Sequence, residues 1–223
     1  MITLVGNFKG GTGKSTVAFN LAIWLAIQGK KTAVVDLDPQ GSLTDVMYVR
    51  EEMDYSPLLP VFQELNKKMI KDWDELIVDV GTADLPAMEK ALTIAGRVII
   101  PVAPSQPDVW STQRFMDLVR KNCKKDTIVT GLINRADTHP KVKETEETME
   151  ALSMINGLKM QKCYLYQRTA YRRAFSEGLT VFEMMPANKA AGEVWRLSRS
   201  LFKTGKVKKK KKNLPGAGNN KAS

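Results

Sequence analysis

Short apolar runs recur along this chain, and between them lie stretches whose apolar positions repeat every three or four residues. The runs at 2–5, 32–37, 75–80, 97–102, 127–133 and 158–165 are apolar enough to be strands covered on both faces, as parallel strands are. Val17, Leu21, Trp24 and Leu25 mark a helix over 15–28, with Gly29 as its stop. Phe115, Leu118 and Val119 share one face of a helix opened by Pro104-Ser105-Gln106-Pro107-Asp108. Residues 141–154 read as an acidic-rich helix, and 187–202 as a last helix with an apolar stripe at Ala190, Val194, Leu197 and Leu201. Residues 42–71 are expected as helical pieces broken at Ser56-Pro57 and Pro60. The alternation predicts an α/β fold, a mostly parallel central sheet flanked by helices on both faces. Ligands of such sheets bind at the carboxyl ends of the strands.

Charge adds a second region to this picture. The net charge is +10, yet eight lysines and no acid fall within 203–223, so the rest of the chain is close to neutral. Residues 1–204 are therefore expected as one globular domain and 205–223 as a basic, low-complexity, disordered tail. A tail of that kind suits a polyanion, either nucleic acid or an anionic membrane surface. Cys123 and Cys163 are too few for a disulfide framework and lack metal-ligand spacing, so a reduced, cytoplasmic protein is expected. The single His139 rules out a histidine-rich metal site. No apolar stretch approaches a membrane span, and Met1 leads straight into the first strand, so no leader peptide is expected.

The candidate chemistry sits at the ends of the apolar runs. After the first run comes Asn7-Phe8-Lys9-Gly10-Gly11-Thr12-Gly13-Lys14-Ser15-Thr16, leading into a helix. A strand, a glycine-rich turn and a helix make a phosphate cradle, because backbone N–H groups and the helix dipole converge on the anion. Gly10, Gly11, Thr12, Gly13, Lys14, Ser15 and Thr16 form that cradle. Lys14 would reach the β- and γ-phosphates, and the Ser15 hydroxyl would ligate Mg²⁺. Phe8 stands where the strict P-loop pattern has its first glycine. Asp36 and Asp38 follow the second run, where Mg²⁺ and an attacking water would lie. Asp79 ends the run at 75–80 in the Walker B manner, as a Mg²⁺ ligand. Arg196, Arg199 and Lys203 share one face of the last helix, either a solvated face or a DNA-binding one.

Lys9-Gly10-Gly11-Thr12-Gly13-Lys14-Ser15-Thr16 resembles the deviant Walker A box of the ParA/MinD superfamily, with the likeness running from residue 2 to about 202. The resemblance implies that Lys9 is the signature lysine, which crosses a dimer interface to the partner's nucleotide. It implies that Asp38, in Asp36-Leu37-Asp38-Pro39-Gln40, orients the hydrolytic water. Asn134 is similar to the residue that reads the adenine, although a strand-end asparagine in a turn looks the same. Arg168, Arg172 and Arg173 lie in a segment that looks like the family's late arginine-rich helix and are candidate DNA-binding residues together with Arg196, Arg199 and Lys203. At Asp79 the family usually reads Asp-x-Pro-Pro or similar, whereas this chain has Asp79-Val80-Gly81-Thr82. The cofactors implied are ATP and Mg²⁺. The partners implied are a second copy in the ATP state, DNA bound without sequence preference, and a cargo-bound, ParB-like adaptor that stimulates hydrolysis.

The chain would match the small ParA type, cytoplasmic and nucleoid-associated, which segregates plasmid or chromosomal cargo. Positioning of a protein organelle, or a cell-division role of MinD type, is the alternative. Membrane binding of the MinD kind is not expected, because Val207 and Leu214 among lysines offer too little apolar surface. A nitrogenase-reductase type would need cluster-holding cysteines.

Overall fold

The computed structural model describes residues 1–139 and 142–202, Lys67 by its backbone alone. β1 (Ile2–Val5) runs through the glycine-rich turn into α1 (Lys14–Ile27). β2 (Thr32–Asp36), α2 (Ser42–Glu52), a two-residue β3 (Val61–Phe62) and a 3₁₀ turn at Lys67–Lys71 follow. Then come β4 (Glu75–Asp79), α3 (Leu85–Ile94), β5 (Arg97–Val102), α4 (Gln106–Asn122), β6 (Ile128–Ile133), α5 (Glu144–Ser153) and β7 (Lys159–Met160). Three helices close the described chain: α6 (Thr169–Ser176), α7 (Val181–Met184) and α8 (Lys189–Leu201).

The strands form one sheet in the order β3-β2-β4-β1-β5-β6-β7, and every neighbouring pair is parallel. Alternation along each strand sorts the core into two layers. Val5, Val34, Ile77 and Ile99 pack with α1, α2 and the closing helices. Leu4, Val35, Val78 and Ile100 pack with Met88 of α3, Phe115 of α4 and Leu152 of α5. Both faces are thus covered, which is why the strands carry continuous apolar runs. α1 is buried from Val17 to Leu25 without a break. The Trp24 ring lies 5.8 Å from Trp195 and 6.2 Å from Phe202, so the end of the described chain wraps over the helix that begins at the cradle.

The register fixes what meets at the carboxyl edge. Val5 pairs with Asp79, and Asp36 also pairs with Asp79. The cradle after β1, the loop after β2 and the loop after β4 therefore emerge side by side. α2, which follows the second of these loops, is pinned by Arg50, a fully buried arginine. Its guanidinium donates to both carboxylate oxygens of Glu183 at 2.7 and 3.0 Å, to Pro57 O at 2.8 Å and to Gly178 O at 3.0 Å. Gly178 is needed there, since a Cβ would lie 2.8 Å from the Arg50 backbone nitrogen.

Several elements differ from the sequence reading. Beyond α2, the stretch to 71 is extended chain with β3 and a 3₁₀ turn, not helical pieces, because Pro57 and Pro60 deny it a helical ladder. The run at 158–165 gives only a two-residue strand. Gly131 of β6 lies against the Met160 side chain, and the chain rejoins β6 at Leu165 N to Ile133 O. α3 and α7 carried no clear periodic signal and were not foreseen. The tail at 205–223 lies outside the described residues, as does Lys203.

Candidate functional site

Asn7 anchors the turn from below. Buried, it donates through Nδ2 to Pro101 O at 2.9 Å and accepts from Lys9 N at 3.3 Å. Phe8 packs edge-on against Phe115 with centroids 5.2 Å apart, so the residue that replaces the P-loop's first glycine secures the cradle to α4. Gly13, at φ 84°, is the N-cap of α1 and supplies no side-chain cap. The first N–H groups of a long buried helix are thus left facing the turn, an anion seat. Lys14 is buried, and its Nζ donates to Lys9 O at a long 3.4 Å. A cavity of about 620 Å³ opens over these atoms, lined among others by Gly11, Lys14, Asp38, Thr82, Asn134 and Tyr166. That is ample for a nucleotide.

Asp79 is fully buried, and neither carboxylate oxygen has a hydrogen-bond partner among the described residues. Burial pushes its carboxyl up to about 7; the nearby Asp36 and Asp38 charges add to this, and Ser15 and Lys14 oppose it. An orphaned carboxylate beside a serine hydroxyl and a phosphate cradle fits a divalent cation. No cluster of three or more His, Cys, Asp or Glu side chains suitable for a metal occurs among the described residues. Mg²⁺ at phosphates needs none, since one or two protein oxygens, waters and the phosphates complete its shell. Asp79 and Ser15 would hold it. Asp36, grouped with them on sequence grounds, is otherwise engaged. Its Oδ1 accepts from Asp38 N at 3.1 Å, and its Oδ2 accepts from Thr44 N and Thr44 Oγ1, both at 2.8 Å. It braces the 38–44 loop against the start of α2.

Asp38 lines the cavity, and its Oδ1 accepts from Gln40 N at 3.0 Å. Asn134 closes the far side. Its Nδ2 donates to Thr12 O at 2.6 Å and leaves no room for a Cβ on Gly13, which would lie 2.4 Å away. Arg135 was not singled out in the sequence. It takes φ 60°, donates to Gly11 O at 2.6 Å and to Gln167 Oε1 at 2.8 Å, and so straps the cradle to the loop before α6. An arginine after a strand-end asparagine carries no signal of that role.

Lys9, just before Gly10 of the cavity wall, has its side chain 43% exposed, with Nζ 3.6 Å from Asp108 Oδ2. The arginines divide. Arg168 is drawn into the cavity wall, its Nη2 2.7 Å from the buried Glu193, with its guanidinium over the Tyr166 ring. Glu193 also accepts from Tyr171 OH at 3.0 Å and Tyr166 N at 3.2 Å. Arg168, expected in a DNA-binding stripe, thus has its guanidinium engaged in an ion pair within the chain. Arg172, Arg173, Arg196 and Arg199 are exposed on α6 and α8, and Arg199 lies over Trp195.

This is a P-loop nucleotide site at the carboxyl edge of a parallel sheet. A model of the CobQ/CobB/MinD/ParA nucleotide binding domain matches residues 3–181, and the chain belongs to that family. With that membership it is a nucleotide-binding ATPase of ParA/MinD type. It is 26% identical over 201 residues to maintenance of carboxysome distribution protein A of Halothiobacillus neapolitanus, covering 85% of this chain and 90% of that one. It is 28% identical over 190 residues to protein ParA of Rhizobium radiobacter, covering 82% and 86%. Among solved structures, the ATP complex of an aspartate-to-alanine variant of Cyanothece McdA superposes with a TM-score of 0.71 at 15% identity, covering 90% and 95%. MinD of Pyrococcus horikoshii with Mg-ADP superposes with a TM-score of 0.67 at 18% identity, covering 90% and 95%.

Proposed function

We propose that this ATPase dimerises on ATP, binds DNA without sequence preference, and moves or positions a cargo whose adaptor stimulates hydrolysis. The observation that carries the reading is Lys9: a half-exposed lysine next to Gly10 of the cavity wall, its ammonium held, among the described residues, by a 3.6 Å contact to Asp108. Its ammonium can leave that contact for the phosphates of a second subunit, adding charge where negative charge gathers. Within one subunit, Lys14 and the N–H groups of α1 seat the phosphates and Asn134 borders the base. Asp38 orients the water that attacks the terminal phosphate. Mg²⁺ at Ser15 and Asp79 would neutralise phosphate charge.

Arg172, Arg173, Arg196 and Arg199 are the DNA face. α6 and α8 are tied together by Tyr171 and Glu193, so the two pairs of exposed arginines keep a fixed spacing, and a dimer presents both sets twice. The apolar side of α8 is consumed by the core, leaving that helix no face for lipid. The likeness to a carboxysome-distribution protein over most of both chains favours a second reading, a protein organelle as the cargo. The ATPase chemistry is the same in either case. The adaptor is ParB-like in the first reading.

The DNA face has its own test. Arg196→Ala with Arg199→Ala is expected to remove the ATP-dependent part of binding to random-sequence duplex. Truncation after Thr204 is expected to weaken binding and flatten its salt slope while keeping the ATP dependence. Each lost phosphate contact lowers the log–log slope by about 0.9. A double arginine variant that binds as the parent does would make the stripe a solvated face.

A further inference from the structure

The register that sets Asp36 beside Asp79 continues past the strand ends and brings residue 38 against residue 81. A glycine stands there. A Cβ built on Gly81 would lie 2.6 Å from Asp38 Oδ1, 2.7 Å from its Cγ and 3.1 Å from its Cα. Gly81 is not among the positive-φ residues, so its backbone would accept alanine, and only the contact forbids one. Asp38 has little freedom to retreat. Its Oδ1 holds Gln40 N at 3.0 Å, its carbonyl holds Gly41 N at 2.8 Å, and Leu37 N is bonded to Asp79 O at 2.9 Å. Because the Cα is also close, a change of rotamer alone does not clear the clash.

We propose that Gly81 is a positioning residue for ATP hydrolysis: its bare backbone is the surface on which the Asp38 carboxylate rests at the cavity edge. The proposal rests on the reading of Asp38 as the residue that orients the attacking water. A methyl group at 81 pushes that carboxylate aside by on the order of 1 Å, and a misplacement of that size costs roughly 10²-fold in rate. The three atoms nearest Gly81's added Cβ all belong to Asp38, so the methyl group acts first on that residue and nucleotide affinity is expected to be spared.

The test is a double-mutant cycle on the full chain: parent, Gly81→Ala, Asp38→Ala and the double variant, each measured for single-turnover ATP hydrolysis and Mg²⁺-ATP affinity. Gly81→Ala is expected to lower hydrolysis by roughly 10²-fold with affinity within about twofold of the parent. In the Asp38→Ala background it is expected to change hydrolysis no further. If Asp38→Ala hydrolyses normally, the reading of Asp38 fails and the proposal with it. If Asp38→Ala is inactive while Gly81→Ala is fully active, Asp38 stands and the Gly81 proposal is overturned. Should Gly81→Ala lose ATP binding altogether, the double variant decides, because Asp38→Ala removes both contacts under 3.0 Å. Recovered binding then supports the contact; binding still lost makes the glycine a requirement of the fold and overturns the positioning role.

Discussion

Lys14→Ala is expected to abolish ATP binding at micromolar nucleotide while leaving the fold intact. The ammonium is buried at the helix N-terminus and, among the described residues, holds one long bond, 3.4 Å to Lys9 O. Its charge also favours the ionised form of the buried Asp79, so its loss leaves the fold standing with that carboxyl pushed further up. Toward a triphosphate the same ammonium gives charge-assisted hydrogen bonds worth about 1.5–3 kcal/mol each. Two such bonds, to β- and γ-oxygens, amount to a loss of roughly 10²–10⁴ in affinity. Equilibrium binding of a fluorescent ATP analogue, with a thermal melt on the same sample, checks it. Affinity within tenfold of the parent would mean that the backbone N–H groups of α1 alone hold the phosphates.

Asp79→Asn is expected to do two opposite things, stabilising the nucleotide-free protein and destroying its turnover. The carboxylate is fully buried without a hydrogen bond among the described residues, and its carboxyl titrates at about 7 in the fold against 3.8 for an ordinary aspartate. The folded form thus holds its proton more tightly than the unfolded chain. Between those two pH values the folded form binds more protons, so stability falls as pH rises through the window and is flat above it. The full cost at pH 8 is about 4 kcal/mol. Asparagine is neutral throughout, so the variant should exceed the parent by that order at pH 8 and converge on it toward pH 4. Urea denaturation across this range measures the gap. Hydrolysis should fall by roughly 10³-fold, since a correctly held metal is worth several kcal/mol at a phosphoryl transition state. A variant no more stable than the parent at pH 8 would show that the Asp79 charge is already compensated without a cation.

The sheet and the cradle were legible because both are local. Alternating apolar runs and amphipathic segments report their own burial, and Lys9 to Thr16 carries its chemistry within eight residues. What was not legible depends on partners distant in the chain. Asp36 looks like a metal ligand at a strand end, and only the fold shows that Thr44 takes its Oδ2. Arg168 looks like a free cation until Glu193, 25 positions on, closes over it. Arg135 acts by reaching back 124 positions to Gly11, and no local pattern announces that. β3 is two residues, too short for any periodicity to emerge, and of the strand expected at 158–165 only two residues pair as β7. Gly81 was visible as a departure from the usual residues after Asp79, but its reason, the Asp38 carboxylate lying against it, is a contact between two strand ends.

The claim on which the functional reading turns is that ATP joins two copies through Lys9. Sedimentation velocity of Asp38→Ala protein with ATP and Mg²⁺ tests it most directly, because blocked hydrolysis preserves the ATP state. A dimer is expected with ATP and a monomer with ADP, and adding Lys9→Gln should return the ATP form to monomer with nucleotide still bound. Asp38→Ala protein that binds ATP yet stays monomeric, or a dimer indifferent to Lys9→Gln, would contradict the account.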